Sequence, residues 1–240
     1  MDIYATYSNY VNTLISTGDL SSFKRNIDYT YMLEHVNYPQ GFRYLSLLKN
    51  IFTLDVITTF CNMNDSVGNP EMFSYPNLRC SPSSLRYLYH AHLILTHYKN
   101  YSLTDIVEIG GGYGGLYLAI NFLYKSYSVN IASYTIIDLP SISKFQRLYT
   151  DKFNTTISLN CLESTNFGNE IDNSNMFFIS CYSFSEIPSN LQQQYIETLF
   201  PKISHGFIAW NNIPVYDFGF TYTEEQEIPK TGPMNKYVRF

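Results

Sequence analysis

The sequence predicts an α/β protein with an open, mostly parallel sheet and a helical N-terminal extension, on three observations. The apolar run Ile106, Val107 and Ile109, interrupted by Glu108, reads as a buried strand that ends in a cluster of glycines, Gly110, Gly111, Gly112, Gly114 and Gly115. Leu116, Leu118, Ala119, Phe122 and Leu123 then recur at helical spacing, so the unit is strand, tight loop, helix. A second apolar strand, Tyr134-Thr135-Ile136-Ile137, closes on Asp138.

Glycine is needed where the chain turns through positive φ and where a ligand must approach the backbone without a Cβ in the way. A helix that starts straight after such a loop aims its free N–H groups at that ligand. Glu108 is costly to bury unless it meets a cationic ligand or hydrogen-bond donors. An acid at the end of the second strand of a βαβ unit accepts hydrogen bonds from ribose hydroxyls, which assigns Asp138. A dinucleotide site would carry G-x-G-x-x-G. The first half, Gly110-x-Gly112, is present, and the glycines alone leave NAD and S-adenosylmethionine both open.

Four motifs extend this pattern: Val107-Glu108-Ile109-Gly110-Gly111-Gly112-Tyr113-Gly114-Gly115, Ile136-Ile137-Asp138-Leu139-Pro140, Ser183-Phe184-Ser185-Glu186 and Thr231-Gly232-Pro233-x-Asn235. Together, over about residues 80–240, they resemble a family of sugar O-methyltransferases, the first two motifs being specific to the methyltransferase class and the last two to the family. The resemblance implies a Rossmann-like class I methyltransferase sheet, S-adenosyl-L-methionine as cofactor, and a sugar hydroxyl as acceptor. Such proteins occur in bacterial polysaccharide clusters and in large DNA viruses that build their own glycans, which points to a deoxyhexose such as rhamnose in an oligosaccharide. Methylation of another small molecule or of a protein side chain is the alternative.

Composition agrees with these readings. The 240 residues suit one Rossmann-sized domain plus an extension, expected as a helical cap and lid loop over residues 1–80 and a cofactor-binding domain over 81–240. Net charge is −5 with 15 Lys and Arg and no basic run, which argues against a nucleic-acid partner. The 23 Tyr and 17 Phe suit the apolar C–H faces of sugars, and equally a composition bias. Cys61, Cys80, Cys161 and Cys181 show no paired spacing, and neither a signal segment nor a membrane-length apolar run is present. The expectation is a reduced, soluble, cytoplasmic protein (host cytoplasm, were the source viral) without a metal site.

Along the chain, Tyr4, Tyr7, Val11, Leu14 and Ile15 form a helical stripe ended by Gly18, and a second short helix is expected from Asp28 to Val36, broken by Pro39. Phe42 to Phe60 continues at helical spacing; these helices suit covering a substrate or forming a homodimer. Asn64 to Cys80, rich in Asn, Pro, Ser and Gly, reads as a lid loop. Ser81-Pro82 is an N-cap with proline at the first helical position of a helix reaching Tyr98. Strands are expected at 155–162, 176–181 and 205–212, with a closing antiparallel pair after Pro214 in which Phe218, Phe220 and Tyr222 alternate.

In an open α/β sheet ligands bind at the carboxyl ends of the strands. That rule assigns Glu108, Gly110, Gly111, Gly112, Tyr113, Gly114, Asp138, Leu139 and Tyr182 to the cofactor, with Cys161, Leu162 and Glu163 beside its adenine. Tyr113 is placed near the sulfonium. On the acceptor side stand Ser183, Asn211 and Asn212, with Trp210 either stacked on a sugar or in the core. Arg86 meets either a ligand carboxylate, a substrate oxygen or a surface acid. Glu227, Thr231 and Asn235 enter the acceptor pocket through the resemblance. Glu186 is the expected general base, accepting the hydroxyl proton as the C–O bond forms, unless it only caps the following helix or orients another side chain. His205 lies at the wrong end of its strand for that role.

Overall fold

The computed structural model describes residues 3–33 and 36–240. Expected features at Tyr4 (its side chain), Glu34 and His35 lie outside the described residues. Two compact units form, one taking in the chain up to Leu93 with Gly112–Leu123 and Lys144–Thr155, the other Ile94–Gly111, Tyr124–Ser143 and Thr156–Phe240.

The first unit is mainly helical. Helix α1 (Ile3–Thr17) buries Tyr7, Val11 and Leu14 and stops where Gly18, at φ +67°, donates its N–H to the Leu14 carbonyl. A 3₁₀ turn (Phe23–Arg25) leads to α2 (Ile27–Leu33). Pro39 starts the next helix rather than breaking one: α3 (Tyr38–Leu48) is capped by Asn37 and Gln40, which bond each other's backbone N–H, and proline fits a first turn because its missing N–H has no partner there anyway. Helix α4 (Leu54–Asp65) is separate from α3, with Thr53 as its N-cap. The expected lid loop contains a hairpin, β1 (Phe73–Tyr75) with β2 (Leu78–Cys80), turned at Pro76-Asn77 with Asn77 at φ +65°. Proline followed by a residue at positive φ is the chemistry of a tight turn. Helix α5 (Pro82–Tyr98) begins as expected, the Ser81 hydroxyl accepting from the Ser84 N–H at 3.2 Å. Most of α6 (Gly115–Leu123) and α7 (Pro140–Thr150) completes the unit, with Phe60 against Phe122.

The second unit holds a seven-stranded sheet made of β3 (Asp105–Ile109), β4 (Ser133–Asp138), β5 (Ser158–Glu163), β6 (Met176–Cys181), β7 (Ile203–Trp210), β8 (Thr223–Gln226) and β9 (Lys236–Arg239). Their order is β5-β4-β3-β6-β7-β9-β8; the first five are parallel, and β9 is antiparallel to both of its neighbours. This is a Rossmann-like open sheet, its order reversing between β3 and β6. Strands β3, β4 and β6 are buried along nearly their whole length and read as the continuous apolar runs usual in parallel strands. After β6 come the one-turn α8 (Ser183–Glu186) and α9 (Ser189–Thr198). The aromatic run Phe218, Phe220 and Tyr222 is not a strand: it precedes β8 and packs on the core with Phe200 and Trp210. Alternating large rings satisfied the strand pattern, but the core needed their area more than a ladder needed their backbone.

Candidate active site

At the end of β3 the chain leaves the sheet through Gly110, whose N–H still donates to the Ile137 carbonyl at 3.0 Å. Gly110 sits at φ +75°, and a Cβ there would fall 2.0 Å from the Ser183 hydroxyl oxygen. At Gly111 a Cβ would lie 2.7 Å from Ile136 Cγ2 and 2.8 Å from Glu108 Oε2. A side chain at Gly110 would have to displace Ser183, and one at Gly111 would have to displace Ile136 and Glu108. The Glu108 carboxyl lies beneath Gly111, 1% exposed, and accepts a hydrogen bond of 2.9 Å from the Tyr134 hydroxyl. Burial pushes its pKa up to about 8, the Tyr134 bond opposing and the Asp138 charge adding to the rise.

Asp138 closes β4 and stands in register with Glu163 at the end of β5. Asp138 Oδ1 accepts from the Leu139 N–H at 2.8 Å, which orients the carboxylate at the strand end. The Ser143 hydroxyl bonds the Leu162 carbonyl at 2.6 Å and the Asp138 carbonyl at 3.2 Å, pinning the two strand ends together. Cys161 is buried, while Leu162 and Glu163 are half-buried. The ends of β3, β4 and β5 thus present a glycine turn and, in register with each other, the carboxylates of Asp138 and Glu163.

The end of β6 is shaped by Ser180 and Tyr182. The Ser180 hydroxyl donates to the Ile109 carbonyl at 2.9 Å and accepts from the Phe184 N–H at 2.9 Å. Tyr182 adopts φ +68°, a strained conformation for a bulky residue, and its hydroxyl donates to Glu227. Glu227 is fully buried, and its carboxylate also accepts from the Thr231 N–H at 2.6 Å and the Thr231 hydroxyl, on which Asn235 bonds at 3.0 Å. The tail residues expected to face an acceptor are engaged with one another in a network that holds the chain after β8. Glu186, by contrast, is exposed, with its carboxylate fixed by the Asn211 side-chain amide. The Asn212 side chain accepts from the Met234 N–H at 2.8 Å. Trp210 differs from the stacking role held open for it: fully buried among Phe184, Tyr216 and Phe218, it has no face to offer a sugar.

The helical unit carries the rest of the glycine loop. Gly112 at φ +56° and Gly114 at φ +95° flank Tyr113, and the Gln146 amide donates to the Gly112 carbonyl at 2.9 Å. The Leu118 N–H bonds the Gly114 carbonyl at 3.0 Å, so α6 starts directly from the loop. Tyr113 is fully buried, and the ammonium of Lys24 lies over its ring, 4.6 Å from the centroid. The ring face expected for a cofactor's cation is thus taken by a cation of the chain itself. Arg86 donates to the Leu33 carbonyl at 3.1 Å and lies over the Tyr87 ring.

Among the described residues no three His, Cys, Asp or Glu side chains gather where a metal ion would be held, and no helix is long and apolar enough to cross a membrane. Nothing in the sequence assigns Lys24, Asn64, Gln146 and Tyr149 to Tyr113, or Tyr134 to Glu108. Only Tyr134 left a signal there: it lies two residues before Ile136, the register partner of Glu108, on the same sheet face.

No family model matches the chain, and no curated protein matches it. Among solved structures, the chain is similar to the mitomycin 7-O-methyltransferase MmcR, at 13% identity and a TM-score of 0.45 over 66% of this chain and 55% of that one. It is similar to a SAM-dependent methyltransferase from Aquifex aeolicus at 14% identity and a TM-score of 0.44, over 64% of this chain and 89% of that one. CalS10, an amino pentose methyltransferase from Micromonospora echinaspora, is similar at 7% identity and a TM-score of 0.41, over 58% of this chain and 57% of that one. The chain thus spans little more than half the length of the first and third of these proteins. At such identities and scores the likeness decides nothing about substrate, and the fold is read from the strand order itself.

Proposed function

We propose that the protein is an S-adenosylmethionine-dependent O-methyltransferase acting on a hydroxyl of a sugar, with a deoxyhexose such as rhamnose in a glycan as the leading acceptor. The observation that carries the reading is the row of strand ends at the reversal of the sheet: a glycine turn at Gly110 and Gly111, where Ser183, Ile136 and Glu108 pack in the place of a Cβ, then Asp138 and Glu163 side by side. This donor and acceptor set fits an adenosyl ligand. Asp138 accepts from the ribose hydroxyls, Glu163 with Leu162 and Cys161 borders the adenine, and the glycine turn puts no side chain of its own in the way. The buried Glu108 carboxyl suits a cationic ligand, whose arrival favours its ionised form.

Bound S-adenosylmethionine supplies an electrophilic methyl group on a sulfonium. The chain's own task is then alignment and proton handling. Glu186, exposed yet oriented by Asn211 at the ends of β6 and β7, is the proton acceptor for the attacking hydroxyl, with Ser183, Asn211 and Asn212 beside it on the acceptor side. The acceptor class itself rests on the sequence resemblance and on the aromatic composition.

Calorimetry tests the cofactor: S-adenosylhomocysteine should bind and NAD should not, and Asp138→Ala should weaken binding about tenfold to a hundredfold through loss of a charged acceptor. Binding of NAD alone would sink the reading. Given a methylated glycan product, Glu186→Gln should cut turnover roughly 10²-fold or more while leaving cofactor affinity intact. Unchanged turnover removes Glu186 from the mechanism.

A further inference from the structure

We propose that Lys24 is a positioning residue that holds Tyr113, and through it the glycine loop, in the shape that receives the cofactor; the cofactor half of this proposal rests on the methyltransferase reading above. Lys24 is only 1% exposed. Its ammonium lies 4.6 Å from the Tyr113 ring centroid, 5.1 Å from that of Tyr149 and 5.6 Å from that of Phe23, and donates to the Asn64 carbonyl at 2.6 Å. Its backbone N–H is tied to the Gly68 carbonyl at 2.9 Å, so the lysine is anchored at both ends. The same cluster reaches the Tyr113 hydroxyl, which bonds the Asn64 amide at 3.2 Å; that amide also donates to Ser84 at 2.7 Å, and Tyr149 donates to Asn64 Oδ1 at 3.0 Å.

Two features make this a loop device rather than ordinary packing. Tyr113 is flanked by Gly112 and Gly114, both at positive φ, so the backbone on either side has the greatest freedom any chain can have. Among what restrains it are the burial of the Tyr113 ring, the bond of its hydroxyl to Asn64 and the Gln146 bond to the Gly112 carbonyl. The second feature is the cost of the cation. Desolvating an ammonium is expensive, and an apolar residue of similar volume commonly folds as well or better in such a place. Attraction to a ring face depends on direction, which a methionine would not supply. The cation therefore serves ring orientation, and orientation matters at a loop whose N–H groups must point at a ligand.

Lys24→Met and Lys24→Arg in the full chain test this, with thermal unfolding, amide exchange at residues 112–115 of the ligand-free protein, and S-adenosylhomocysteine calorimetry. Lys24→Met should keep or raise the melting temperature, while exchange at 112–115 speeds up and affinity falls, each by about tenfold. KM for the cofactor should rise with kcat held, and Lys24→Arg should restore most of the affinity. Wild-type exchange and wild-type affinity in Lys24→Met overturn the proposal. Should that variant fail to fold, Tyr113→Leu must give the same faster exchange at the loop, and unchanged exchange there overturns it instead. If the wild type binds no S-adenosylhomocysteine, the methyltransferase reading fails by itself, and exchange in the ligand-free chain still decides the role of Lys24.

Discussion

Glu108 is a carboxyl buried in the sheet, and its protonation depends on the fold. With its pKa pushed up to about 8 by burial, it holds its proton at neutral pH in the ligand-free fold, whereas in the unfolded chain it ionises near 4.5. Between those values the native state binds the extra proton, so stability falls as pH rises from about 4.5 to about 8 and is flat outside that window. Glu108→Gln keeps an acceptor for Tyr134 and removes the penalty. Its melting temperature should match the wild type at pH 4 and exceed it increasingly up to pH 8, and the same variant should bind S-adenosylhomocysteine more weakly. Parallel melting curves across that range would show that Glu108 is not buried as its protonated form. That Glu108 is the odd residue in an apolar strand is visible in one dimension. Its hydroxyl partner, Tyr134, is separated by an entire helix and comes beside it only through the parallel register of β3 and β4.

The glycine loop shows what a short element demands. At Gly110 two requirements coincide, a positive φ and a serine side chain packed where a Cβ would be. Gly110→Ala should therefore destabilise by roughly 1–3 kcal/mol from backbone strain alone, and more from the contact. Because Ser183 Cβ would also stand only 2.2 Å away, the double variant with Ser183→Ala should not recover the loss, which chemical denaturation of both proteins checks. Full recovery would mean that the hydroxyl was the sole obstacle. Elements with strong local chemistry were legible: the strand ending in glycines, the Ser81-Pro82 start of α5, and strand β6. Pro39 and the 64–80 segment were misjudged because proline and asparagine mark breaks in general, and only their partners decide whether the break starts a helix, as Asn37 and Gln40 make it do, or turns a hairpin, as at Pro76-Asn77.

Over the molecule, the site divides between what a strand end must look like and what distant segments bring to it. Five parallel strands and one reversal place Gly110, Asp138, Glu163, Tyr182 and Asn211 near carboxyl ends, and that followed from the alternation of apolar runs with helical ones. The sequence alone determined the fold class and the acids at the carboxyl ends of the strands, because each depends on patterns within one element or between neighbouring ones. Tertiary structure decided the rest: that Trp210 is core, that Glu227, Thr231 and Asn235 spend their hydrogen bonds on one another, and that Lys24 faces Tyr113. The physical reason is range. Periodicity and turn chemistry act over a few residues, whereas a buried polar group takes whichever partner folding carries to it, and the positions of Lys24, Asn64, Tyr113 and Tyr149 in the chain bear no trace of their meeting.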